Sequence, residues 1–339
     1  NLGKLSSIDY HALHEHIRGN IPSGMIVREE RFGFKPLVGE EMEIYREAKQ
    51  LVTGLYCYRD LKDSARINKA IGTLGGGNHF IELDKDDEGY VYLVIHTGSR
   101  NLGKQVADIY QAKAVRHMTA GADEFERTIR QTIDEYKAAG RRSELQSVIK
   151  KMRREQEKAE PSLPAALCYV EGDARLQYLH DMRLCQRWAV LNRKLISLLL
   201  LRFFPGIEVL EEFESVHNYI SDDNIIRKGS ISAAKGERCI IPLNMRDGAL
   251  ICTGKGNPDW NCSAPHGAGR VLSRSQAYEK ITMEDFETSM KGIYSESVTD
   301  STRDESPMVY KPAAEIIANI GETVSIDTII RPIFNFKAY

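Results

Sequence analysis

The spacing of apolar and polar positions divides this chain into readable elements. Residues 39–56 read as a helix within a mixed helix-and-loop segment covering residues 1–60. A Gly-rich turn begins at Ile71 and leads into the short apolar segment Phe80-Ile81-Glu82-Leu83. Residues 84–89 read as a turn, and Tyr90-Val91-Tyr92-Leu93-Val94-Ile95 as a strand. That strand runs into His96-Thr97-Gly98-Ser99-Arg100, and loops that follow strands often carry function. Residues 173–204 predict a long helix, amphipathic at first and then apolar, and buried. From Ile207 onward, short β segments alternate with Gly and Pro turns. Helices are expected at 283–292 and 313–319.

Residues 104–160 differ from their surroundings. They are rich in Lys, Arg, Glu, Gln and Ala and poor in strand formers, which predicts at least two exposed helices closed by Pro161 and Pro164. The simpler reading is an inserted helical hairpin with a solvated face. The sharper one is that Arg141, Arg142, Lys150, Lys151, Arg153 and Arg154 form a surface for RNA phosphates. The length allows one large domain or two small ones, with this segment as a helical insertion.

With 339 residues, 42% of them hydrophobic, the chain can bury a large core. A formal net charge of −2 excludes a bulk electrostatic attraction to nucleic acid, so any polyanion site must be a local patch. Six cysteines without a C-x-x-C pair fit a reduced, cytoplasmic setting better than a disulfide framework. The apolar run 195–204 is too short to span a bilayer, so no membrane association is expected. No G-x-x-x-x-G-K-[ST] loop is present, which argues against a P-loop nucleotide site.

The most informative stretch is Cys262-Ser263-Ala264-Pro265-His266-Gly267-Ala268-Gly269-Arg270. Its glycines allow a backbone to approach a bulky anionic ligand closely. The His266 imidazole can attack phosphorus, and the Arg270 guanidinium can grip phosphate oxygens. His79, His96 and His217 lie in separate loops containing Gly or Asn, and three neutral imidazoles make a plausible metal set. Taken singly, each also reads as a hydrogen-bonded structural histidine. Asn78 and Asn218, each beside a histidine, could hold phosphate oxygens, with Arg100, Arg227 and Lys228 supplying charge nearby. His11, His14 and His16 crowd one N-terminal segment without any Gly-rich context, and Cys262 is the one cysteine close to His266 in sequence.

Several of these runs together resemble the RtcB family of RNA ligases. They are Gly72-Thr73-Leu74-Gly75-Gly76-Gly77-Asn78-His79-Phe80-Ile81-Glu82, His96-Thr97-Gly98-Ser99-Arg100, His217-Asn218-Tyr219, Arg227-Lys228-Gly229 and Pro265-His266-Gly267-Ala268-Gly269-Arg270. Two more follow near the C-terminus: Asp304-Glu305-Ser306-Pro307-Met308-Val309-Tyr310-Lys311 and Asn335-Phe336-Lys337. The resemblance spans the chain except for residues 104–160 and implies a single large α+β catalytic domain with a helical insertion there. It implies a GTP- and manganese-dependent ligase that joins RNA ends bearing a 2′,3′-cyclic phosphate or 3′-phosphate to ends bearing a 5′-hydroxyl, in tRNA splicing or RNA repair. By this likeness His266 accepts GMP from GTP. His79, His96 and His217 are manganese ligands in a two-ion site, and Asn78, Asn218 and Arg270 contact phosphate. Phe80, Glu82, Tyr310 and Lys337 form the guanine pocket. RNA with broken ends and GTP are the implied partners, with an accessory activator protein as a further one.

The sequence departs from the family pattern in two places. The family also uses an Asp and a Cys from an Asp-x-Gly-Cys-Gly block, and no such block occurs here. The expectation is a missing N-terminal segment, so that a chain beginning at Asn1 cannot form the guanylate whereas one extended upstream can. Where many members carry Gly-Ser-Met-Gly, this chain reads Pro242-Leu243-Asn244-Met245-Arg246-Asp247-Gly248, which leaves Asn244 to replace the serine contact. The rival readings are a catalytically silent RNA-binding module and a metal-dependent cyclic-phosphate hydrolase.

Overall fold

The computed structural model describes residues 1–119, 122–156 and 161–338. In chain order its elements are α1 (Tyr10–Asn20), α2 (Glu40–Thr53), α3 (Ser64–Lys69), β1 (Phe80–Lys85), β2 (Val91–His96), α4 (Asn101–His117), α5 (Ala122–Ala138), α6 (Arg142–Gln156) and α7 (Gly172–Leu201). These are followed by β3 (His217–Ile220), β4 (Ile226–Ser232), β5 (Arg238–Asn244), β6 (Gly248–Gly254), β7 (Ser263–Pro265), α8 (Arg274–Lys280), α9 (Met283–Ser289), α10 (Ala313–Asn319) and β8 (Val324–Lys337). The mixture of helix and sheet is the α+β class expected from the sequence.

The chain forms two compact units. One comprises Asn1–Gln50, Ala65–Arg100 and Arg187–Tyr339, and the other Leu51–Ser64 and Asn101–Gln186. The larger unit is built on a five-stranded antiparallel sheet in the order β2-β1-β8-β6-β5 and a three-stranded sheet in the order β3-β4-β7. β8 organises the larger sheet. Its first half pairs with β6 and its second half with β1. Pro332 falls where the β1–β8 register shifts, so the missing N–H breaks no regular ladder. Pro242 likewise lies at a register shift, on the edge strand β5.

Ile241, Leu250 and Cys252 from β5 and β6 pack with Ile231 from β4 and Ile316 from α10 into one buried cluster. Local signals fix the short helices: Ser273 and Gln276 cap α8 reciprocally, as Thr282 and Asp285 cap α9. In the second half of α7, Leu195, Ile196, Leu199 and Leu200 are all buried. Among the described residues no helix is long and apolar enough to cross a membrane. All six cysteines are free, and five are buried.

The smaller unit holds α4, α5, α6 and the first half of α7. Its anchor is Asp181, fully buried, whose carboxylate accepts from the backbone N–H groups of Tyr56 and Cys57 at 2.9 and 3.1 Å and from the Tyr110 hydroxyl at 2.9 Å. Three donors on one buried carboxylate satisfy a charge that would otherwise be costly. Residues 120–121 and 157–160, at the edges of the expected helical pair, lie outside the described residues.

Candidate functional site

Strand register sets one wall of the site. Phe80 pairs with His96 on one side and Lys337 on the other, so His96, Phe80 and Lys337 form a row across β2, β1 and β8. Two residues further along β1, on the same face, Glu82 sits opposite Asn335, which donates to its carboxylate. The small sheet brings in the opposite wall. β4 pairs with β3 at His217 and with β7 at Pro265, so His217 and His266 come together across it. The His266 loop is held against β5: Ala268 donates its N–H to the Pro242 carbonyl at 3.1 Å, and a Cβ on Gly267 would lie 2.9 Å from that oxygen.

Between these walls lies a cavity of about 470 Å³. Nine of the twelve residues singled out from the sequence line it: Asn78, Phe80, Glu82, His96, Asn244, His266, Arg270, Tyr310 and Lys337. His79, His217 and Asn218 do not. Asn218 is exposed with φ of 61°, and its side-chain carbonyl accepts weakly from Gly229 at 3.4 Å. Asn244 is occupied locally, donating to Asp247 at 2.8 Å and accepting from the backbone of Arg246 and Asp247.

The four imidazoles form a row. Ring centroids of His79 and His96 are 5.7 Å apart, those of His96 and His217 5.8 Å, and those of His217 and His266 5.0 Å. Two imidazoles on one divalent ion, with a metal–nitrogen distance of about 2.1 Å, have centroids roughly 5–6 Å apart. The tautomers are also preset: His79 Nδ1–H donates to the Leu74 carbonyl at 2.8 Å and His96 Nδ1–H to that of Asn78 at 3.0 Å, which leaves each Nε2 a free lone pair. His217 Nδ1 is buried and, among the described residues, has no hydrogen-bond partner. Burial, reinforced by Arg100, lowers the His79 pKa to about 4; burial with the neighbouring His79 and His217 lowers that of His96 to about 3. Burial and the adjacent His266 also lower that of His217. Neutral, oriented imidazoles fit a divalent cation as donors. Among the described residues, however, no three His, Cys, Asp or Glu side chains are gathered into a set that could hold one.

Glu305 is the group that sequence reasoning missed. It is almost fully buried, and its carboxylate receives the Tyr310 hydroxyl at 2.6 Å, Lys337 Nζ at 3.2 Å, Arg274 at 3.1 Å and Arg270 at 3.2 Å. Burial alone would raise its pKa, but Lys337, the Tyr310 hydroxyl and Arg274 outweigh this and hold it below the usual carboxylate value. The same contact raises the Tyr310 hydroxyl, whose main cause is burial. Arg270 is also bound to the carbonyls of Leu272 and Asp304, so it reaches the cavity as a tethered side chain. Glu82, buried beside Asp84, has its pKa raised by burial despite Lys337 and Asn335.

Two arginines brace loops. Arg100 donates from Nε to the Thr73 hydroxyl at 2.9 Å and from Nη2 to the Gly24 carbonyl at 2.8 Å. Arg227 is buried and bonded to Ser263, Ser221 and the Asn261 carbonyl. Arg100 explains Gly75: a Cβ there would lie 1.7 Å from its guanidinium and 2.6 Å from His79 Nδ1, at φ of 88°. Gly75→Ala should therefore destabilise the protein by about 2–4 kcal/mol, combining left-handed strain with lost Arg100 bonds. Urea unfolding measures it, and a loss below about 0.5 kcal/mol would mean that Arg100 is not held as described.

The model of the family described as tRNA-splicing ligase RtcB matches residues 40–338. This chain belongs to the RtcB family. It is 26% identical over 287 residues to the RNA-splicing ligase RtcB of Escherichia coli (strain K12), covering 79% of this chain and 61% of that protein. It is 26% identical over 337 residues to the tRNA-splicing ligase RtcB of Aeropyrum pernix, covering 80% and 62%. With the RNA-splicing ligase RtcB of Mycobacterium tuberculosis it shares 26% identity over 292 residues, covering 73% and 59%. The chain thus spans about three fifths of the length of these RtcB relatives. The family match covers both walls of the cavity and the histidine row.

Proposed function

We propose that the protein is an RNA ligase that joins 3′-phosphate ends, or ends derived from a 2′,3′-cyclic phosphate, to 5′-hydroxyl ends through a guanylate on His266. The observation that carries this reading is the shared cavity: His266 opens onto the same space as Glu82, Tyr310 and Lys337. A nucleophile and a set of polar groups suited to a purine edge can then act on one nucleotide.

In the first step a lone pair of the His266 imidazole attacks the α-phosphorus of GTP. An N–P bond forms, the bond to pyrophosphate breaks, and the ring loses its proton. The RNA 3′-phosphate next displaces the imidazole from phosphorus. The 5′-hydroxyl finally attacks the activated 3′-phosphate, giving up its proton as GMP leaves. Glu82 and Lys337 orient the guanine, Phe80 packs beneath Lys337 with its Nζ 5.6 Å from the ring centroid, and Glu305 fixes the donors around them. Asn78 and Arg270 would contact phosphate or ribose oxygens from the cavity wall, and Asn218 and Asn244 would join them on rearranging. His79, His96 and His217 would hold manganese, which when bound neutralises triphosphate charge and polarises its oxygens.

One observation favours the silent RNA-binding reading instead: among the described residues no three His, Cys, Asp or Glu side chains form a set that could hold a metal ion. Metal binding separates the two. His217→Ala is expected to weaken Mn²⁺ affinity by at least about 10–100-fold, the loss that removing even a supporting group causes. Electron paramagnetic resonance of free Mn²⁺ reads this without any activity. Unchanged affinity would contradict the metal assignment.

A further inference from the structure

α6 presents a basic face that, among the described residues, no ion pair neutralises. Its sequence, Arg142–Gln156, carries Arg142, Lys150, Lys151, Arg153 and Arg154 against Glu144 and Glu155. Glu144 is taken by Arg141, which grips it at 3.0 and 2.6 Å. At 3.6 residues per turn, Arg142, Arg153, Lys150, Arg154 and Lys151 fall at about 0°, 20°, 80°, 120° and 180° around the axis. Leu145, Val148, Ile149 and Met152 occupy the other side and are half-buried, while all five cations are exposed.

Exposed helices elsewhere in the chain pair their charges, as Lys104 does with Asp108 and Arg18 with Glu15. Among the described residues none of the five cations of α6 makes an ion pair. Lys150–Arg153, Lys150–Arg154 and Lys151–Arg154 are like-charge neighbours, each unfavourable by about 0.2–0.5 kcal/mol. A face that repels itself and reaches about 18 Å from Arg142 to Arg154 is complementary to an extended polyanion. The helix carries no aromatic residue on which an unpaired base could stack. Its apolar side is turned inward, which leaves nothing to enter a lipid layer.

We infer that the outer face of α6 docks the phosphate backbone of double-helical RNA, independently of sequence, and so holds the body of the substrate. This rests on the RNA ligase reading.

The test compares the protein with a variant carrying Arg142→Gln, Lys150→Gln, Lys151→Gln, Arg153→Gln and Arg154→Gln, and with a control carrying Lys85→Gln, Lys280→Gln and Lys291→Gln. Binding of a fluorescein-labelled RNA duplex is followed by anisotropy across a KCl series, and circular dichroism confirms the fold. Loss of five phosphate contacts should make the slope of log K against log salt shallower by about 4, at about 0.9 per contact, with at least about 10-fold weaker binding. The control should keep the parent slope. Equal slopes in parent and α6 variant, an equal drop in the control, or α6-dependent binding to phosphatidylserine vesicles stronger than to RNA would overturn the inference. Guanylate formation from GTP, assayed in the full-length protein extended upstream of Asn1, needs no RNA and should be the same in parent and variant. Its absence from the parent would refute the ligase reading, whereas its presence with an unchanged slope would refute only the docking face.

Discussion

Replacing His266 by alanine is expected to reduce RNA joining by on the order of 10⁴–10⁶-fold, the scale on which removing a covalent nucleophile acts. The loss follows from position and chemistry together. His266 stands at the end of β7, in contact with His217, with its ring toward the cavity that Glu82, Tyr310 and Lys337 also line. Stability should barely change, because the ring is half-buried and the loop is held by backbone bonds from Ala268 to Pro242 and from His266 to Gly229. Single-turnover ligation of an RNA with a 3′-phosphate and a 5′-hydroxyl measures the effect, with urea unfolding alongside. A variant that ligates within about 10-fold of the parent would mean that phosphorus is attacked by another group.

The second large effect is on stability. Glu305→Ala is expected to cost about 3–5 kcal/mol, because it leaves the nearly buried Lys337 and the half-buried Arg270 without their carboxylate. Glu305→Gln should cost less, since it keeps the volume and one acceptor. The pH dependence carries a sign. The folded-state pKa of Glu305 lies below the ordinary 4.5, so its contribution is complete above that value and is lost as pH falls from it toward the folded pKa. Glu82 and Asp84, both raised by burial, act in the opposite sense, so the difference between parent and Glu305→Gln isolates Glu305. That difference should be largest near neutral pH and shrink in acid. A difference that grew on acidification would contradict the ion-pair hub.

Much of the fold could be read locally. Expected strand 90–95 became β2 (Val91–His96), and expected helix 313–319 is α10 with the same bounds. Alternation, caps and turn residues carry such elements within a few positions of each other. β8 could not be read this way. Pro332 interrupts its pattern, and its 14 residues are extended because two different partners, β6 and β1, take successive halves.

The cavity-lining histidine and asparagine loops were legible because Gly and Asn next to His are chemically unusual. The duties of Arg100 and Arg227 were not. Their partners lie 27 to 76 and 6 to 36 positions away, so only the fold decides between gripping a ligand and bracing a loop. Glu305 was hidden for the same reason. In the sequence it stands only as a member of the Asp304–Lys311 run, and it becomes a hub only when β8 brings Lys337 to it.

The central claim is that His266 carries a guanylate formed in this cavity. Intact-mass spectrometry after incubating the full-length protein, extended upstream of Asn1, with GTP and Mn²⁺, followed by mapping of the acid-labile adduct, tests it most directly. The account predicts one GMP added per chain, located on the peptide that contains His266 and absent from His266→Ala. A GMP adduct on any other residue, or one that persists in His266→Ala, would contradict it.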